Sequence, residues 1–249
     1  MILPGQRVAT LHILDLGTFD VGPGKRLIGI PGFLLTTDTG ARILVDTGFD
    51  HAYATDYAAT DARDGLSGFG RLLDFTARQT ITGQLALMAL TPADIDLLIL
   101  THGHIDHVGG LPLFAHCPIV LTEAERAESR PIYWGNARPL AWPDTTYHTI
   151  TEDTPVCDGL TALPTPGHTP GHLSLMATLP SGRSVILAAD AINRASEPDE
   201  GYSDAMDPVA AERSGGRLLT LQAKTGATLI YGHDPAQWLV LPKAPVALA

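Results

Sequence analysis

Residues 101–110, THGHIDHVGG, place His102, His104, Asp106 and His107 within six consecutive positions. A lone loop histidine is ordinarily a solvated or capping residue. Imidazoles and a carboxylate crowded at this spacing form a donor set suited to zinc and its first-row neighbours. Three more candidates stand apart in the chain: His168 in LPTPGHTPGH, Asp190 ending SVILAAD and His233 in TLIYGHD. Seven donors exceed what one closed structural site takes, since such a site uses four ligands and often includes cysteine. Two ions about 3.5–4 Å apart need separate donor groups and a shared bridge, and short-spaced ligands on one loop answer that need. The chemistry such a pair supports is hydrolysis near neutral pH.

The elements that must position these side chains are legible around them. DLLIL precedes His102, GLTAL precedes His168, SVILAAD carries Asp190 at its exit and TLIYGH ends in His233. Each run reads as a strand, and strand ends let distant side chains converge while the sheet stays rigid. VATLHILDLG reads as a first strand. FLLTT and ARILVDTG, joined through Asp38, Thr39 and Gly40, read as a hairpin leaving at Asp46. HLSLMAT and SVILAADA form a second hairpin with an aspartate at its exit, which hints at an internally duplicated architecture. Between 50 and 90, RLLDFTARQ and ITGQLALMAL predict helices and a connection. Thr91-Pro92 opens a brief helix, Thr122 caps a helix through EAERAES, and residues 208–225 predict a longer one. Residues 130–147 read as irregular and aromatic. The pattern predicts an α/β fold, a mixed sheet covered by helices, in one domain over residues 1–249.

Composition narrows the function classes. The 249 residues are 45% hydrophobic with a net charge of −11, and the longest basic grouping is Lys25-Arg26. Nucleic-acid binding needs clustered cations and is not expected. The two cysteines, Cys117 and Cys157, stand alone, which fits a reducing compartment. No run approaches 18 apolar residues and the N-terminal segment lacks a signal-peptide pattern, so no membrane role is expected and the cytoplasm is the expected location. The expected partner is a small-molecule substrate, and the expected oligomer, where one forms, is a homodimer.

HGHIDH matches the HxHxDH signature of the metallo-β-lactamase superfamily, and TPGHTPGH, the AAD exit and YGHD follow in that superfamily's order. The resemblance runs from VDTG to GHD, and the stretch LTPADIDLLILTHGHIDHVGGLPLF is similar in register to the N-acyl-homoserine lactonases. It implies an αββα sandwich of two mixed sheets flanked by helices. It implies one metal on His102, His104 and His168, a second on Asp106, His107 and His233, and Asp190 bridging. Two divalent ions would serve, zinc first, with iron, cobalt or manganese as alternatives. The implied activity is opening of a lactone ring, an N-acyl-homoserine lactone above others, by a metal-bridging hydroxide that Asp106 orients and whose proton Asp106 passes on. A pyridoxolactonase-like enzyme, a glyoxalase II-like thioesterase and a β-lactam hydrolase are the alternatives on the same fold. The complete ligand set disfavours a non-enzymatic metal-binding module.

Some positions carry two readings. The homoserine lactonases usually place a tyrosine three residues after the bridging aspartate, where this chain has Asn193; an amide still donates a hydrogen bond to substrate, although the shorter side chain favours another lactone. Asp46 either holds a ligand imidazole in its tautomer or caps its own turn. His172 reads as packing or support, and His51 as a lesser candidate for the pocket wall. Tyr133, Trp134 and Trp142 suit an acyl pocket, or the core for at least one of them.

Overall fold

Strand β1 (Val8–Val21) shows the period of two on which the architecture rests: Leu11 and Ile13 enter one apolar cluster, Leu14 and Leu16 another. The computed structural model describes residues 1–22 and 26–248, so Lys25 of the basic pair lies outside the described residues. β1 pairs antiparallel with β2 (Arg26–Thr37) and, at its far end, with the edge strand β4 (Gly70–Leu73). β2 turns back into β3 (Arg42–Val45). Beyond β3 the sheet continues in parallel through β5 (Leu97–Ile99), β6 (Ile119–Thr122) and β7 (Tyr147–Ile150), giving the order β4-β1-β2-β3-β5-β6-β7. A second, five-stranded sheet faces it. In it β8 (Thr154–Cys157), β9 (Leu160–Pro164), β10 (Leu173–Thr178) and β11 (Ser184–Ala189) are antiparallel neighbours, and β12 (Thr228–Tyr231) lies parallel to β11.

The alternation sorts side chains into layers. Ile43, Val45, Leu97 and Ile99 of the first sheet meet Leu173, Leu175 and Leu187 of the second. On the outer face of the first sheet, Leu44 and Leu98 pack with Phe49, Leu85 and Phe114. On the outer face of the second, Ile186 and Ala188 meet Ala211 and Leu218 of helix α6 (Pro208–Thr225). Each such buried aliphatic side chain contributes about 1.5–3 kcal/mol. The fold is therefore two mixed sheets face to face with helices outside, the αββα sandwich.

Both anticipated hairpins are present, β2–β3 and β10–β11, and each is continued by a parallel strand, β5 or β12. Both exits carry a non-glycine residue in the left-handed region, Asp46 at φ 62° and Ala189 at φ 46°. Such a conformation costs about 1–2 kcal/mol for an L residue and tends to be kept where function needs it.

The structure departs from expectation in three places. Residues 70–73 form edge strand β4 where a helix is predicted, because four residues of β1 supply its ladder partners. Helices in that region are confined to α1 (Tyr57–Asp64), α2 (Ile81–Ala86) and single 3-10 turns. β2 begins at Arg26, well before Phe33; Gly29, Pro31 and Gly32 mask the strand, and Pro31 is accommodated beside a register shift against β1. Tyr147, read as the end of the irregular segment, starts β7.

Candidate metal centre

The strand directions explain the convergence. β3 and β5 are parallel, so Asp46 and the His102 loop leave the first sheet at the same edge. β9 and β11 both run antiparallel to β10, and β12 runs with β11, so His168, Asp190 and His233 leave the second sheet together. Asp106 and His107 lie in the short helix α3 (Ile105–Val108) directly after His104.

At that edge the seven candidates meet in two groups. His102 Nε2 and His168 Nε2 lie 3.0 and 2.9 Å from His104 Nδ1. Asp106 Oδ2 lies 3.5 Å from His107 Nε2 and 3.4 Å from His233 Nε2. Asp190 stands between the groups: Oδ2 is 3.3 Å from both His168 Nε2 and His233 Nε2, and Oδ1 is 3.4 Å from His107 Nε2. The donor atoms of His102, His104 and His168 lie within 4.8 Å of one another, as do those of Asp106, His107 and His233, and those of His102, His107 and Asp190. His107 Nε2 and Asp190 Oδ1 are buried without hydrogen-bond partners among the described residues. Buried orphans of this kind are rare, and a cation between them would satisfy both. The residues present therefore fit two divalent ions.

Hydrogen bonds on the far side orient three of the imidazoles. Asp46 Oδ2 accepts from His107 Nδ1 at 2.8 Å, while the Thr101 amide and hydroxyl donate to the two Asp46 oxygens, each at 2.8 Å. The Thr101 hydroxyl hydrogen is thus committed to Asp46, so its oxygen accepts from His102 Nδ1 at 3.1 Å. His233 Nδ1 donates to the Gly29 carbonyl at 2.9 Å. In all three rings Nδ1 is engaged and Nε2 faces the cluster, the atom a metal takes up once it is free of a proton. Asp46 thus contacts the imidazole and the 101 backbone, not its own turn. His172 supports as anticipated: its Nε2 accepts the Asp190 amide at 3.1 Å and its Nδ1 pairs with Thr165 Oγ1 at 2.9 Å.

Charge divides the groups further. Burial holds His102, His104 and His168 below the usual imidazole range, so they are neutral. Burial opposes protonation of His107 and His233 as well, but there the carboxylates win. Asp106, Asp46 and Asp190 raise His107 well above its usual value, and Asp190 with Asp106 pushes His233 up to about 10. Against the same burial, His107 and His233 hold Asp106 low, and His233, His168 and His107 hold Asp190 low.

The cluster floors a cavity of about 410 Å³. His104, Asp106, Asp190 and His233 form its polar end, and Ile28, Phe49, Phe69 and Trp134 are among its apolar walls. Trp134 is in the wall as anticipated, with the Phe69 ring centroid 4.8 Å away. Tyr133 is instead fully buried, its hydroxyl donating to Asp64 at 3.1 Å, and Trp142 lies under Arg126. His51 is a surface residue paired with Asp50 at 3.4 Å. Asn193 lines the cavity, but its backbone amide donates to Glu197 Oε2 and its Nδ2 to Glu197 Oε1 at 3.1 Å. Sequence reasoning missed Phe19, Ile28, Leu66 and Phe69 in the wall, and Arg26 and Arg194 at the same cavity. They come from separate segments without a shared spacing, so no local signal marks them.

The model of the metallo-β-lactamase superfamily matches residues 32–233. An N-acyl homoserine lactonase of Bacillus thuringiensis is 33% identical over 221 residues, 86% of this chain and 85% of that protein. The N-acyl homoserine lactonase AttM of Rhizobium radiobacter is 29% identical over 243 residues, 88% of this chain and 86% of that one. Among solved structures, a mutant of the B. thuringiensis lactonase AiiA with N-decanoyl-L-homoserine bound at the active site superposes with a TM-score of 0.83. It is 27% identical, with 97% of this chain and 100% of that one covered.

Proposed function

The chain belongs to the metallo-β-lactamase superfamily and is a metal-dependent hydrolase, and from that premise we propose that it opens the lactone ring of N-acyl-homoserine lactones. One observation carries the reading: Asp190 lies within hydrogen-bonding or ion-pair distance of imidazoles from both groups, at the polar end of a cavity whose wall is apolar. His102, His104 and His168 would hold one ion and Asp106, His107 and His233 the other, with Asp190 shared. Zinc suits the histidine-rich set best. Bound there, the ions would supply a Lewis acid for the ester carbonyl and a water acidified enough to attack near neutral pH.

The remaining steps fall to the chain's own groups. Asp106, kept ionised by His107 and His233, takes the proton of the attacking water and returns it to the ring oxygen as the ester C–O bond breaks. Ile28, Phe49, Phe69 and Trp134 enclose an acyl chain and exclude bulk water. Asn193 keeps one amide hydrogen beyond the one given to Glu197, and that hydrogen is available to a substrate carbonyl. Two isolated buried cysteines fit action in the cytoplasm, and among the described residues no helix is long and apolar enough to cross a membrane.

The test is turnover of N-hexanoyl- and N-decanoyl-homoserine lactone by purified protein, followed by pH-stat, beside a thioester and a cephalosporin, with metal content counted per chain. Ring opening with two ions per chain is expected. Failure to open either lactone, or faster turnover of the thioester or the cephalosporin, rejects the assignment.

A further inference from the structure

We propose that Glu125 is a positioning residue that clamps together the two loops carrying His102, His104 and His168, and thereby sets the three-histidine group without touching its neighbour. Glu125 lies in helix α4 (Glu123–Ala127) and is 1% exposed. Its Oε1 accepts the backbone amide of Gly103 at 2.7 Å, and its Oε2 accepts the Thr169 hydroxyl at 2.8 Å. Gly103 separates His102 from His104, and Thr169 follows His168. One loop leaves the first sheet after β5 and the other leaves the second sheet after β9, so a single carboxyl group joins the two halves of the sandwich at the metal centre.

The surroundings point the same way. Thr122 and Glu125, separated by Glu123 and Ala124, spell the pattern of a capping box, in which the glutamate ordinarily turns back to the amide at its own helix start. Here the carboxyl group reaches across to the two ligand loops. Thr122 completes the fastening: its hydroxyl accepts the Glu125 amide at 3.1 Å and donates to the Gly171 carbonyl at 2.5 Å. The approach is close enough to dictate residue type. A Cβ on Gly103 would lie 2.9 Å from Glu125 Oε1, and one on Gly171 would lie 2.1 Å from the Glu125 nitrogen. The glycines inside HGH and before His172 are therefore partners of Glu125. Asp106, His107 and His233 receive nothing from it; Asp46 and the Gly29 carbonyl brace two of them.

The inference rests on the two-ion reading above, so its test separates the two. Zinc-loaded wild-type, Glu125→Ala and Glu125→Gln proteins are dialysed against graded chelator, with zinc counted per chain and amide hydrogen exchange followed at Gly103. A wild-type count below two rejects the earlier reading; the clamp is judged on differences between variants. Glu125→Ala is expected to release one ion at about tenfold lower chelator than wild type, while holding the other unchanged. Glu125→Gln keeps an acceptor for Gly103 and a donor for Thr169, and is expected to restore wild-type retention and slow exchange. Parallel loss of both ions, no loss, or a Gln variant as leaky as the Ala variant overturns the clamp. If Glu125→Ala does not fold, Thr169→Val removes one arm with Glu125 in place, and Thr169→Ser should rescue it. Failure of that rescue, or unchanged retention in Thr169→Val, overturns the proposal equally.

Discussion

The three-histidine group and the group of Asp106, His107 and His233 share Asp190 and one cavity, yet they are held in place by different means. The first consists of imidazoles that burial keeps neutral, on loops fastened through Thr101 and Glu125. The second carries its own carboxylate, and its imidazoles are drawn toward the protonated form by Asp46, Asp106 and Asp190. Geometry governs the first, and competition with protons governs the second. Two adjacent ions in one fold can therefore differ in affinity and in response to pH without any difference in ligand number.

The largest effect should come from removing what the groups share. Asp190→Ala should lower lactone turnover by about 10³-fold or more, equivalent to about 4 kcal/mol of transition-state stabilisation, and weaken both ions. Retention of two ions with activity within tenfold of wild type would show that the groups are independent. Asp46→Ala should next separate them. It strips His107 Nδ1 of its acceptor and should weaken the ion at Asp106, His107 and His233 by about 10–100-fold, and its neighbour by less, since there only Thr101 stands between Asp46 and His102. Equal weakening of both, read by competition with a coloured chelator, would contradict the division.

Proton competition sharpens the same contrast. Capture of an ion by His233 must displace its proton below pH about 10, and His107, also held above its usual value, adds to the demand, so affinity at that group should fall as pH drops, by about tenfold per pH unit for each proton released. The three-histidine group releases none above pH ~6.5, the ordinary imidazole value, and its affinity should stay flat there. Calorimetric titration of chelator-stripped protein across pH 7–9 reads both slopes, and two equal slopes would refute the assignment. The smallest effect lies in the wall. Trp134→Ala should raise KM for the decanoyl substrate about tenfold, leave the hexanoyl substrate nearly unchanged and leave metal content at wild type. A change in metal content would place Trp134 among the supports of the cluster.

Residues marked by close spacing or by a place at the end of an apolar run are the readable ones. His102, His104, Asp106 and His107 announce themselves by spacing, and His168, Asp190 and His233 by their position at the ends of apolar runs. Both hairpins follow from short apolar runs such as those of β3 and β11, bounded by turn residues, and the sandwich from the family resemblance. What escaped depends on partners far along the chain. β4 is a strand because β1 lies beside it, and β2 extends through Gly29, Pro31 and Gly32 because β1 is long enough to pair with it. Glu125 looks like an ordinary helix-start residue until the fold brings Gly103 and Thr169 to its carboxyl group. Asn193 was legible as a departure from the lactonases, but its engagement by Glu197 was not.

Edge strand β4 has a consequence for how such an enzyme diversifies. It pairs only with β1, and the turn leading into it sets Leu66 and Phe69 in the cavity wall, with Phe69 still 44% exposed. By contrast His102, His168 and Asp190 follow inner strands, and of the strands that lead to the cluster β12, before His233, is the one at a sheet edge. Insertions or deletions around residues 65–75 can reshape the apolar wall of the cavity while the histidine and aspartate cluster at its floor keeps its register. Substrate range in this architecture can drift at the rim of the sheet, and the hydrolytic chemistry can be inherited unchanged.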